Sequence, residues 1–339
     1  LSLKALEEEW FVKAIVMHGI TKIYPTAVKP AVYNVNLEID SGQCIVILGP
    51  SGCGKTTLLK MINRILEPTE GSIFINGREI HEIPADRLRR GMGYVIQQGG
   101  LFPHMTVAEN IAVVPRMLGW SHEQIRERTN FMLEMVSLDP AAFLRQFPRQ
   151  LSGGQQQRVG LARAMAADPA FLLMDEPFGA VDAITRGHLQ EELLEIQHRL
   201  HKTILFVTHD AEEAFRLADL MIVMKDGELV QYDTPPNIII HPQNETVEGL
   251  IGGRDIIRQL HTIKAVNVME PVNGLRSVAG LKLIHLQDDL KIAMSSLLES
   301  GANSLGVIDE QGEIVGCISW DLIRKIGHGI QGAVDETTN

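Results

Sequence analysis

Between a compact apolar run and a helical pattern the chain carries Gly49-Pro50-Ser51-Gly52-Cys53-Gly54-Lys55-Thr56, which fits G-x-x-x-x-G-K-[ST], a P-loop. Before it, Cys44-Ile45-Val46-Ile47-Leu48 has the unbroken hydrophobicity of a strand buried on both faces. After it, Leu58, Met61, Ile62, Ile65 and Leu66 fall on one helical face. A strand buried on both faces calls for a parallel sheet covered by helices. In that setting the glycines let backbone N–H groups wrap a β-phosphate, and the helix start at Gly54 adds its positive dipole end. Lys55 is placed to reach the β- and γ-oxygens and Thr56 to ligate Mg²⁺, with Thr57 among the nucleotide-contacting residues.

The rest of the chain repeats the same theme. Residues from about Ile15 to Asp40 alternate apolar and polar side chains and predict short antiparallel strands. From Thr106 to Ala166 the period is helical, with Ser121 and Gln124 spaced as a capping box. Two more buried-strand runs follow, residues 171–174 and 203–207, separated by a helix with the stripe Leu189, Leu193, Ile196 and Leu200. Alternation of this kind predicts an α/β, doubly wound sheet with an antiparallel β subdomain and a helical insert at about 104–166. Asp226-Gly227 between two apolar runs predicts a type I′ hairpin. Pro235, Pro236 and Pro242 close this region, giving a first domain over 14–244 and a helical linker over 245–263. A small α+β unit over 264–330 reads strand, helix, hairpin (turning at Gln311-Gly312), helix, and 331–339 reads as a flexible tail.

A length of 339 residues suits about two domains. Net charge is 31 − 42 = −11, which repels nucleic acid and anionic lipid at long range, so no nucleic-acid partner is expected. No apolar stretch reaches the roughly 18 residues of a membrane span. Glu7, Glu8 and Glu9 stand where a signal peptide would be basic, so a cytosolic protein is expected. The three cysteines lack C-x-x-C spacing, which argues for reduced thiols and against a zinc site.

Asp175-Glu176 ends the run 171–174, so both carboxylates reach the sheet edge beside the P-loop, Asp175 for the Mg²⁺ shell and Glu176 to polarise a water. Leu151-Ser152-Gly153-Gly154-Gln155, followed by Arg158, supplies a second helix-terminus anion site in Ser152 and the amides of Gly153 and Gly154. With this string, residues 15–244 resemble the ATP-binding subunits of ABC transporters, whose signature is LSGGQ followed by a basic residue. The resemblance implies an ATPase that uses ATP and Mg²⁺ and works as a homodimer. Ser152, Gly153, Gly154 and Gln155 would close on the γ-phosphate held by the other copy's P-loop. It further implies that Tyr24 stacks on adenine, that Gln97 is the glutamine sensing Mg²⁺ and the membrane partner (Gln98 being its neighbour), that Asp182 bridges the copies, and that His209 contacts the γ-phosphate. Gly179-Ala180-Val181-Asp182 departs from the commoner S-A-L-D, and Asp233 stands where a Gly often precedes Thr-Pro.

The last unit, with Val268-Met269-Glu270-Pro271 and Gly316-Cys317-Ile318-Ser319-Trp320-Asp321, resembles a CBS module. In adenosyl-binding modules of that kind an Asp lies three residues after a Ser or Thr. Here Asp321 follows Ser319 by two, so dimerisation or regulation is as good a reading as nucleotide binding. The combination is most similar to the ATP-binding subunits of quaternary-amine importers, which take up glycine betaine, carnitine or choline. That likeness implies transmembrane permease subunits as partners, a solute-binding protein or domain as an indirect one, and a place on the cytoplasmic face of the membrane. Another small solute, such as an amino acid or polyamine, and a soluble non-transport ABC ATPase are the competing readings.

Overall fold

The computed structural model describes residues 13–96, 100–179, 181, 183–251, 260, 263–271 and 282–323. The acidic stretch around Glu7–Glu9, Gln97, Gln98, Asp182 and the tail after 323 lie outside them. The chain divides into two compact units, residues 1–230 and 231–339.

In chain order the strands leading through the first unit are β1 (Lys13–Lys22), β2 (Val32–Asp40), β3 (Cys44–Leu48), β4 (Glu70–Ile75), β5 (Arg78–Glu79), β6 (Met92–Val95), β7 (Phe171–Asp175), β8 (Thr203–Thr208) and β9 (Leu220–Lys225), followed by β10 (Glu228–Asp233), which straddles the boundary at residue 230. They form two sheets, an antiparallel one in the order β2-β1-β4-β5 and a six-stranded one in the order β10-β9-β3-β8-β7-β6. From β9 to β6 every pairing is parallel. Each residue of β3, β7 and β8 is buried, as strands covered by helices on both faces must be. Asp226 and Gly227, with φ of 50° and 89°, join β9 to β10 in the two-residue turn that their sequence announces.

Two departures from expectation have local causes. Ile65 and Leu66 do not extend the helix after the P-loop, which ends at Ile62. Arg64 adopts φ 54° and turns its guanidinium to the carbonyls of Ile80 and Ile83, leaving Ile65 about half exposed. Strands β4, β5 and β6 carry weak patterns of their own; β4 forms on the edge of β1, β6 on the edge of β7, and β5 pairs back on β4.

The helical insert is pinned by local caps. Ser121 Oγ accepts from Gln124 N at 3.2 Å while Gln124 Oε1 accepts from Ser121 N at 2.9 Å. Thr106 and Glu109 form the same reciprocal pair at the Val107–Ile111 helix. The fully buried Asn110 accepts from Phe102 N (2.7 Å) and donates to the carbonyls of Phe102, Met105 and Thr106, which fixes the segment leading in from β6. Gly93 is required because a Cβ there would meet the Ala164 carbonyl on the Gly153–Met165 helix.

The second unit contains β11 (Glu270–Pro271), β12 (Leu283–His285), β13 (Ser304–Ile308) and β14 (Ile314–Ser319) in the order β11-β14-β13-β12, with only β12 and β13 parallel. The Leu290–Ser300 helix starts at an Asp289 cap, stops at left-handed Gly301, and buries Leu290, Ala293 and Leu297. Asp309 Oδ1 accepts from both Gln311 N and Glu313 N at 2.9 Å, and Gly312 takes φ 83°, so the hairpin turns at Gln311-Gly312. Strand β11 is too short to have been legible in the sequence.

Candidate functional site

Strand register builds the site. Leu48 pairs with Thr208 and Asp175 with Val207, so the C-terminal ends of β3, β8 and β7 are level. The next residues, Gly49, His209 and Glu176, therefore leave one edge of the sheet together, where open parallel sheets place their ligands.

The loop 49–54 is shaped by steric need. A Cβ on Gly49 would overlap the Met224 carbonyl, and Gly54 takes φ 106° with the Ala31 carbonyl against the position its Cβ would occupy. Gly52 has φ 82°. Cys53 donates its N–H to the Pro50 carbonyl (3.3 Å) and accepts from Gly227 N (3.1 Å), and its buried thiol is pushed up by desolvation, with Lys55 opposing. Lys55, 5% exposed, donates from Nζ to the carbonyls of Gly49 (2.7 Å) and Pro50 (3.0 Å).

Next to it, Thr56 Oγ1 donates to Asp175 Oδ1 at 2.7 Å. Burial pushes the Asp175 carboxyl up, while the Thr56 hydrogen bond pulls the other way. Thr57 Oγ1 lies 3.3 Å from Tyr24 Oη, which brings the half-buried Tyr24 ring to the start of the same helix. Glu176 sits at φ 43°, its N–H donating to the Val207 carbonyl at 2.9 Å, and its Oε2 is 3.3 Å from His209 Nδ1. A left-handed glutamate is a strained backbone held by its surroundings. Tyr24, Thr56, Thr57, Asp175, Glu176 and His209 are thus gathered around the P-loop.

Ser152, Gly153, Gly154 and Gln155 form a separate element. Ser152 caps the Gly153–Met165 helix, its Oγ accepting from Gln155 N (3.3 Å) while Gln155 Oε1 accepts from Ser152 N (2.9 Å). Ser152 and Gly153 are exposed, and Arg158 on the same helix donates to the carbonyls of Val136 and Ser137. Four residues that sequence reasoning missed surround His209. Thr208 Oγ1 donates to the buried Glu213 at 2.6 Å, and Arg186 reaches Asp210 and Glu213. Thr208, Asp210 and Glu213 are close in the chain but match no motif, and Arg186 reaches them only through folding.

The donors at Thr56 and Asp175 are oxygens, one of them an ionisable carboxylate nearly removed from water, which suits a hard divalent cation. Among the described residues no group of three or more His, Cys, Asp or Glu could hold a metal ion by itself. Mg²⁺ in general is held by one or two protein oxygens completed by substrate phosphates and water.

Comparison with known proteins identifies the family. The sequence model of the ABC transporter family matches residues 32–179. The carnitine transport ATP-binding protein of Listeria monocytogenes is 46% identical over 320 residues, 94% of this chain and 78% of that protein. The glycine betaine/carnitine/choline transport ATP-binding protein of Bacillus subtilis is 45% identical over 312 residues, 91% and 79% of the two chains. Among solved structures, a dimeric ATP-binding cassette in a post-hydrolysis state, bound to ADP and Pi, superposes with TM-score 0.58 at 33% identity, covering 65% of this chain and 98% of that one.

Proposed function

We propose that this chain, which belongs to the ABC transporter family of ATP-binding subunits, uses its ATPase activity to drive import of quaternary-amine osmoprotectants of the glycine betaine, carnitine and choline kind. The ATPase is of the ABC type. The observation that carries the site assignment is the common sheet edge, where the P-loop leaves β3, His209 leaves the adjacent β8 and Glu176 leaves β7 beyond it, with Glu176 meeting His209.

In this reading Tyr24 stacks on adenine, the amides of 50–55 and Lys55 hold the phosphates, and Ser152 with the Gly153–Gly154 amides of a second copy closes over the γ-phosphate. Glu176 takes up a proton from the attacking water as it is aligned, and His209 bonds the γ-phosphate oxygens. Thr56 and Asp175, with Gln97, would hold Mg²⁺, which when bound neutralises charge between the β- and γ-phosphates. Loss of the γ-phosphate then loosens the pair of copies, and the helical insert transmits that motion to permease subunits. With net charge −11 and, among the described residues, no helix long and apolar enough to cross a membrane, protein contacts hold the chain to the membrane's cytoplasmic face. The C-terminal unit, CBS-like in pattern, adds dimerisation or regulation by ionic strength.

The test is ATPase stimulation in the reconstituted transporter. Glycine betaine, carnitine or choline should raise turnover through the permease. Stimulation by an amino acid or polyamine instead would overturn the choice of solute and leave the ATPase in place.

A further inference from the structure

We propose that Arg186 is a positioning residue for ATP hydrolysis, bracing with one guanidinium the two loops that carry Glu176 and His209. This rests on the reading of that pair as the hydrolytic one.

The first loop follows β7. Gly179 N donates to the Glu176 carbonyl (3.2 Å), Val181 N to the Phe178 carbonyl (3.1 Å), and Arg186 Nη2 donates to the Val181 carbonyl (3.1 Å). The second loop follows β8. Thr208 Oγ1 donates to Glu213 Oε2 (2.6 Å) and accepts from Asp210 N (3.0 Å), so both neighbours of His209 are pinned. Arg186 reaches this loop twice, with Nη1 3.5 Å from Asp210 Oδ2 and Nε 3.8 Å from Glu213 Oε1.

Two features make this more than a surface ion pair. Glu213 is 6% exposed, and a carboxylate so removed from water needs a nearby cation and hydrogen bonds to stay ionised. The Nε of Arg186 is itself buried and has no hydrogen-bond partner among the described residues. Completing that bond needs a shift of about 0.9 Å, from 3.8 Å to the normal charge-assisted length. Catalytic contacts of this sort are long in the resting enzyme and tighten around substrate. Arg186 draws the 176–181 loop and the 208–213 loop together as they close on the γ-phosphate. Only a planar fork spans the Val181 carbonyl and both carboxylates; an ammonium does not.

The experiment is steady-state ATP hydrolysis and equilibrium ATP binding by the full chain. Arg186→Ala should lower kcat about tenfold or more while leaving ATP affinity within about twofold, the signature of misplaced reacting groups. Arg186→Lys should recover little of the loss, and a few millimolar ethylguanidinium added to Arg186→Ala should recover part of it. Wild-type kcat in Arg186→Ala overturns the proposal, and so does full rescue by Lys, which would reduce the role to charge alone. If Arg186→Ala does not fold, Glu213→Gln, which keeps the volume and the Thr208 partner, carries the same expectation at about threefold; unchanged kcat there overturns the brace. A wild-type chain without ATPase activity would instead fail the reading of the site itself.

Discussion

Two helix N-termini in this chain begin with glycine, and they are finished in opposite ways. The Lys55–Ile62 helix begins at left-handed Gly54 with no side-chain cap, so its first N–H groups are left for a ligand. The Gly153–Met165 helix is closed by the reciprocal Ser152–Gln155 box. The first terminus is a socket that an anion completes. The second ties up the Ser152 and Gln155 amides in its own box, while the Gly153 and Gly154 amides are not part of it and Ser152 Oγ, accepting from Gln155 N, still has its own hydrogen to donate. A terminus of that sort adds a few contacts to a phosphate already gripped elsewhere, which is the part a second copy would play.

The sharpest break of this comparison comes at the socket's edge. Glu176→Gln should keep ATP binding and lower phosphate release by at least about 100-fold, about 2.7 kcal/mol of transition-state stabilisation; wild-type turnover would remove Glu176 from the reaction. The same variant with ATP should form a dimer in solution, and a persistent monomer, alone and with its membrane subunits, would leave the second terminus without a role.

Next comes stability. Gly54→Ala should destabilise the first unit by at least about 2 kcal/mol, from a left-handed backbone and overlap with the Ala31 carbonyl, read as a fall in melting temperature. Ser152→Ala is subtler, with about 1 kcal/mol lost from the cap. Its effect on the ATP-trapped dimer should exceed its effect on the monomer's melting temperature. Equal effects would mean that Ser152 serves only its own helix.

The pH dependence of Asp175 separates binding from folding. Its raised pKa means that the native state keeps a proton over the window between the unfolded value and the raised one, so stability falls as pH climbs through that window. Binding of Mg·ATP should change with the opposite sign, weakening on acidification sooner than an ordinary carboxylate would allow. Asp175→Asn should flatten both profiles and raise apo stability at neutral pH. The smallest effect is expected from removing 264–339, which should alter the salt response of transport in vesicles and leave ATP hydrolysis by the remaining chain intact. An unchanged salt response discards the regulatory reading.

Much of the fold was legible because it rests on local patterns. Cys44–Leu48 and Phe171–Asp175 are uniformly apolar up to the final carboxylate, and Ser121, Gln124, Ser152 and Gln155 sit at capping distance. The site was legible where a motif is contiguous, as at 49–56. Strands β4 and β6 were not, since each depends on an edge supplied from far along the chain, and the two-residue β5 only extends β4. Nor was the end of the first helix, where Arg64 turns left-handed to reach carbonyls sixteen and nineteen residues on.

By itself the sequence determined the phosphate loop, the buried strand before it and the helix start after it, because glycine sterics, apolar runs and caps act over a few residues. Tertiary structure alone decided that Glu176 meets His209, that Tyr24 reaches Thr57, and that Arg186 lies between Val181, Asp210 and Glu213. Those meetings depend on the register of β3, β8 and β7, a cooperative property of burying three strands at once that no single segment encodes.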